Sequence, residues 1–240
     1  MNRFKIFLSV LIVPLLAFTP GKTDFAAYYG PAYTDAVSFL AKNRIVFQKA
    51  ANDYNIREKN LKSIVFPELL RYNILQNLIE TKALELLYVK GGTKAADFSI
   101  GHFQMKPSFA ETVEAIAADN DEKNDEKNDE WAEDFHALCS YGNLDEKSKR
   151  AKRVERLSSL EWQLKYLACF YKYTERQLDK TLSPSEKIQK IAARYNCGLQ
   201  RTEAEIEKLM KRPSFPYGYS VDPKIQHNYS DVAVYYYLKN

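Results

Sequence analysis

The sequence predicts a mainly α-helical protein, one folded domain behind a targeting segment. Three observations carry this. Only eight Gly and nine Pro punctuate 240 residues, so hairpin signals are scarce. Apolar residues recur at steps of three and four rather than two. And the ~220 residues beyond the N-terminal segment suffice for one sizeable core.

Taken in order, Arg3 and Lys5 precede an apolar run from Ile6 to Phe18, which Thr19-Pro20-Gly21 breaks. That is the layout of a secretory signal, and the run is short for a membrane span. Residues 1–23 are therefore expected to be a signal peptide. A small-x-small cleavage site is missing, so an uncleaved anchor that attaches the protein to a membrane stays open. The chain is expected to be exported, to a periplasm or outside the cell, with residues 24–240 forming the domain. A helix is expected over 33–52, with Val37, Leu40, Ala41 and Phe47 among its apolar positions. Residues 58–72 carry a sharper stripe of Leu61, Ile64, Val65, Glu68 and Tyr72, in which Pro67 marks a kink or a new first turn. Residues 74–89 read as a Leu-rich third helix ended by Gly91-Gly92, and Pro107-Ser108 opens a fourth through Ala118. Asn120 to Glu130 nearly repeat Asn-Asp-Glu-Lys, and residues 119–134 read as a disordered, solvated acidic loop. Residues 135–150 look irregular. Leu160, Leu164, Leu167, Ala168, Tyr171 and Leu178 stripe a long helix, and the capping box Ser183-Pro-Ser-Glu186 starts another with Ile188, Ile191, Ala192 and Tyr195 on one face. A last helix is expected over 229–238 in a Tyr-rich tail.

Charge narrows the partners. The net value is +4, but nine acids and two lysines in 119–134 leave the rest of the chain strongly basic. A basic body on an exported chain suits an anionic cell wall or membrane surface. Nucleic acid is a poor partner behind an export signal. Cys139, Cys169 and Cys197 permit one disulfide with one thiol left over, or three small buried hydrophobes. His102, His136 and His227 are scattered without metal-ligand spacing, and no nucleophile elbow or phosphate loop is present, so neither metal nor cofactor is expected.

Two segments stand apart from the packing pattern. Asp97-Phe-Ser-Ile-Gly-His-Phe-Gln-Met-Lys-Pro107 sets Ser99, Gly101 and Gln104 close together in a turn. Arg194-Tyr-Asn-Cys-Gly198 puts Tyr195 and Asn196 at a helix end that Gly198 can close in a left-handed cap. Together they resemble the Ser-x-Gly-x-x-Gln loop and the later Tyr-Asn-x-Gly element of lytic transglycosylases and goose-type lysozymes. The resemblance spans roughly residues 50–205. It implies a lysozyme-like fold and a glycan cleft around one catalytic Glu, acting as a monomer on peptidoglycan strands. In such a cleft Ser99 and Gln104 would meet sugar amides and hydroxyls, Gly101 would let backbone approach the substrate, and Tyr195 and Asn196 would line the far wall. Without the resemblance, Ser99 reads as a turn cap, Tyr195 as a core residue and Asn196 as a helix terminator.

Glycosidic cleavage needs a carboxyl kept protonated near neutral pH by apolar surroundings. Glu68 meets that on its stripe of Leu61, Ile64 and Val65, flanked by Phe66 and Leu69. It departs from the family in having Leu69 where Ser usually follows the catalytic Glu, and in preceding Gln104 by thirty-six positions, which requires an inserted helix. Glu85, nineteen positions before Gln104, is the alternative, and Glu80 a weaker one. Lys82 and Lys90 near Glu85 make a solvated helix face its plain reading. The expected reaction is lytic transglycosylation by a single Glu. A hydrolytic muramidase, or a non-catalytic wall-binding protein of the same fold, are the alternatives.

Overall fold

A computed structural model describes residues 23–75, 81–122, 129–216 and 226–240. Among them are twelve helices: α1 Phe25–Tyr29, α2 Pro31–Lys42, α3 Arg44–Asp53, α4 Glu58–Leu75, α5 Thr81–Gly91, α6 Pro107–Glu122, α7 Asp129–Cys139, α8 Glu146–Ser158, α9 Leu160–Gln177, α10 Pro184–Cys197, α11 Glu203–Met210 and α12 Tyr229–Lys239. The protein is mainly α. The expected signal peptide lies outside the described residues, as does Glu80; no described helix is long and apolar enough to cross a membrane.

Two groups of helices share α9. One surrounds α4 with α2, α3, α10 and α12; the other joins α5, α6, α7 and α8; and α9 packs on members of both. The centre of the first group is α4. Leu61, Ile64, Val65, Phe66, Leu69 and Leu70 are all at most 2% exposed, so from Leu61 to Leu70 the helix is enclosed on nearly every side. The expected single stripe is thus replaced by an almost complete apolar jacket, the pattern of a helix at the middle of a bundle. Pro67 lies inside α4 and does not end it. Its ring removes one backbone donor. Close by, the Tyr229 hydroxyl from α12 donates to the Ile64 carbonyl at 3.0 Å, tying the tail to this part of the helix.

Several boundaries differ from the sequence reading. The helix expected over 33–52 is two, broken at Asn43, whose amide side chain donates to the Phe39 carbonyl at 2.9 Å. Residues 74 and 75 end α4, and the third expected helix is described over Thr81–Gly91, with 76–80 outside the described residues. The acidic segment is not a loop throughout: residues 119–122 finish α6 and 129–134 begin α7, while 123–128 lie outside the described residues. Helix α7 has a sequence reason that composition hides. Beyond its acids it carries Phe135 and Leu138, both essentially fully buried, and α6 and α7 pack together. Residues 135–150 are likewise ordered by the end of α7 and the start of α8.

The inward residues of α8 are Arg153, Arg156 and Leu157, so an apolar period could not reveal the helix. These arginines do structural work. Arg156 donates to the Leu138 and Ser140 carbonyls at 2.8 Å each, capping the C-terminal end of α7. Arg150 does the same for α5 through Val89 and Lys90. Arg153 meets Glu114 of α6 through Nε and Nη2, and the same carboxylate accepts from the hydroxyls of Tyr141 and Tyr166 at 2.6 Å each. A buried ion pair repays its desolvation only when its remaining polar valences are met, and here four donors converge on Glu114. Cys139, Cys169 and Cys197 form no disulfide among the described residues, and Cys169 is fully buried.

Candidate functional site

Gln104 is one of two described non-glycine residues with positive φ, at +50°. Such a conformation is uncommon for a side-chain-bearing residue and is held only by surrounding contacts. The contacts are visible. Ile100 and Met105 exchange backbone bonds at 2.9 and 3.1 Å, closing residues 101–104 into a tight turn. Gln163 of α9, 1% exposed, donates to the Ile100 carbonyl at 3.1 Å and accepts from the Phe103 amide at 3.3 Å. From the opposite wall, the Tyr195 hydroxyl donates to the Phe103 carbonyl at 2.8 Å. The turn is therefore clamped between α9 and α10, and the Gln104 side chain folds over it to the Gly101 carbonyl at 2.8 Å.

This clamp gives Gly101 a reason in packing. Its φ is +68°, and a Cβ there would lie 1.8 Å from Gln163 Nε2 and 2.9 Å from the Leu157 carbonyl. The glycine lets the turn seat on Gln163. Nothing in local sequence marked Gln163, since its role depends on a turn some sixty positions away.

The turn borders a cleft of about 410 Å³ whose walls include Glu68, Arg71, Ser99, Gln104, Tyr195 and Asn196. Five side chains chosen from sequence, spread over 128 positions, thus surround one space. Glu85 sits on α5, which packs on α8, and is not among the cleft residues. The cap at Gly198 also differs from expectation: φ is +91° with ψ at 155°, outside the left-handed helical region, while its N–H still reaches the Arg194 carbonyl at 2.8 Å. Asn196 does not terminate the helix, which runs through Cys197.

Glu68 is 3% exposed at the end of its apolar jacket. Burial pushes its carboxyl above the ordinary carboxylate range; the charge of Arg71 and hydrogen bonding from Tyr229 and Arg71 offset part of this. Arg71 Nη1 donates to both carboxylate oxygens, at 3.1 and 3.0 Å, and Nη2 reaches Asn196 Oδ1 at 3.4 Å. The rings of Phe215 and Tyr229 lie 5.2 and 5.8 Å from the guanidinium. The Tyr195 and Tyr229 hydroxyls are held neutral, first by burial and then by the neighbouring Glu68 charge. Arg71 was missed by sequence analysis, although a cation three positions after an acid on a helix is a readable pairing.

The other carboxylate in the cleft, Asp97, is engaged: it accepts from the Ser108 amide at 3.0 Å and from its hydroxyl at 2.8 Å, capping the start of α6. His102 is half-buried between Phe39 and Tyr72, ring centroids 4.4 and 4.8 Å away, and burial lowers its pKa. Among the described residues no group of three or more His, Cys, Asp or Glu side chains is placed to hold a metal ion.

No protein-family model, no curated protein and no solved structure matches this chain.

Proposed function

We propose that the cleft cleaves the glycan strand of peptidoglycan by a lytic transglycosylase-type mechanism, in a lysozyme-like arrangement, with Glu68 as the single acid and base. The reading rests on one observation above others. A buried carboxyl with a raised pKa faces the same cleft as the Ser99–Gln104 turn and the Tyr195-Asn196 pair.

In this mechanism Glu68 gives its proton to the glycosidic oxygen as the bond to C1 breaks. The resulting carboxylate then takes the proton of the C6 hydroxyl of the same sugar, whose oxygen closes on C1 as a 1,6-anhydro ring. The proton returns to Glu68 and no water is consumed. Asp97, the second carboxylate in the cleft, is given no role in this mechanism; its hydrogen bonds to Ser108 cap the start of α6. Gln104 and Ser99 are placed on the wall where sugar amides and hydroxyls would lie. Tyr195 acts through the turn it anchors. The protein is proposed to work as an exported monomer on the wall.

A non-catalytic wall-binding role is the second reading. It is favoured by Leu69 in place of the family's Ser and by the Arg71 guanidinium on Glu68. Incubation with purified peptidoglycan and mass analysis of the released muropeptides tests both. The expected products carry 1,6-anhydro ends, and Glu68→Gln should lower their release by at least ~10⁴-fold at equal folding. Products with reducing ends would make the enzyme a hydrolytic muramidase. No release from the wild type would leave the binding role.

A further inference from the structure

Arg71 has more donor capacity than its partners use. A guanidinium carries five N–H groups in a planar fork. Both contacts to Glu68 come from the same nitrogen, Nη1, so the carboxylate does not occupy a forked edge. Among the described residues, Nη2 has only the 3.4 Å contact to Asn196, and Nε is buried without a hydrogen-bond partner. The edge formed by Nε and Nη2 is the one that a carboxylate engages through two parallel bonds. The Arg71 side chain is 23% exposed and lines the cleft, while Glu68 beneath it is 4% exposed. An arriving anion therefore meets Arg71 before Glu68. Presenting the buried Nε to the cleft requires the guanidinium to turn, and turning moves Nη1 away from Glu68.

We propose that Arg71 is the receptor for a carboxylate carried by the glycan, and that engaging this carboxylate draws the guanidinium off Glu68. This rests on the glycan-cleaving reading of the cleft. Once the guanidinium leaves, Glu68 stands buried with the neutral hydroxyls of Tyr195 and Tyr229 and takes one proton from solvent. The acid is thereby loaded only when an anionic substrate is seated, and a neutral glycan of the same length leaves it paired. Phe215 and Tyr229, whose ring centroids lie 5.2 and 5.8 Å from the guanidinium, offer it a cation–π surface along which to turn. The carboxylate can belong to the lactyl ether on the sugar or to the peptide attached there.

The test uses three disaccharides too short to be cut: N,N′-diacetylchitobiose, which is neutral; N-acetylglucosaminyl-N-acetylmuramic acid, with its lactyl carboxylate free; and the same sugar with its lactyl group amide-linked to a peptide stem. Binding is followed by NMR on the full chain, with ¹³C-Glu reporting the Glu68 carboxyl. The wild type should bind at least one carboxylate ligand about tenfold or more tighter than chitobiose, the size of one charge-assisted hydrogen bond. Only that ligand should move the Glu68 carbon toward its protonated shift. Arg71→Gln, checked for an unchanged fold, should bind all three equally, and Arg71→Lys should recover only part of the preference. Which carboxylate ligand loses affinity in Arg71→Gln identifies its source. Equal wild-type affinities for all three overturn the proposal and leave the glycan reading standing. A preference for the anion without protonation of Glu68 also overturns it. Binding of none of the three removes the glycan reading, and the proposal with it.

Discussion

Glu68→Gln should raise the stability of the folded protein at neutral pH, and the gain should grow as pH rises. An unfolded Glu titrates at about 4.3. Burial holds the folded carboxyl above its ordinary range, so between the two values the folded chain keeps a proton that the unfolded chain has lost. Stability of the wild type therefore falls as pH climbs through that window, and the full cost is present above the folded pKa. Each pH unit of displacement is worth about 1.4 kcal/mol. In a domain of this size that corresponds to a shift in Tm of about 2–4 °C per kcal/mol. The groups facing Glu68 are Arg71 from its own helix, Tyr195 from α10 and Tyr229 from α12, and both hydroxyls stay neutral across the range. Gln keeps the size and an acceptor for Arg71, whose partly exposed side chain can hydrate the rest. The lost ion pair should therefore offset part of the gain, less than it would in a fully enclosed pair. Urea midpoints of both proteins measured from pH 4 to 8 supply the comparison. A wild type that gains on the variant with rising pH would refute the reasoning, because the attraction of Arg71 would then outweigh burial and Glu68 would be an ordinary paired carboxylate.

Two further changes probe the frame that holds the cleft. Arg153→Met should cost about 3–5 kcal/mol, since it leaves the Glu114 charge buried with only tyrosine hydroxyls around it; adding Glu114→Gln should recover much of that loss in urea unfolding. Gly101→Ala should cost at least about 2 kcal/mol through its positive φ and the displacement of Gln163. It should also speed hydrogen exchange at the Met105 amide, which an intact turn protects through Ile100.

Helices announced by local chemistry were legible in the chain itself. The start of α10 needs only Ser183, Pro184 and Glu186, three residues within four positions whose capping box is present in the structure. Glu68 among Leu61, Ile64 and Val65 was legible as a carboxyl at a desolvation cost, because the neighbours that bury it include its own helix. Helix α8 was not, because its inward face is arginine and the reward for burying that face is supplied by Glu114 and by the ends of α5 and α7. The acidic segment misled for the opposite reason. Its charge suits water, yet Phe135 and Leu138 further along α7 gain enough from the core to order the residues before them.

The sequence by itself determined the mainly helical class, the buried acid and the residues of the turn, since period, capping and composition act within a few positions of the chain. Only the tertiary structure decided that Glu68, Gln104 and Asn196 share one cleft, that Gln163 and Tyr195 clamp the turn, and that Arg71 rests on the acid while reaching toward Asn196. These relations join α4, α9, α10 and a turn far apart in sequence. Their geometry comes from how whole helices pack around α4 and α9, which no local pattern encodes.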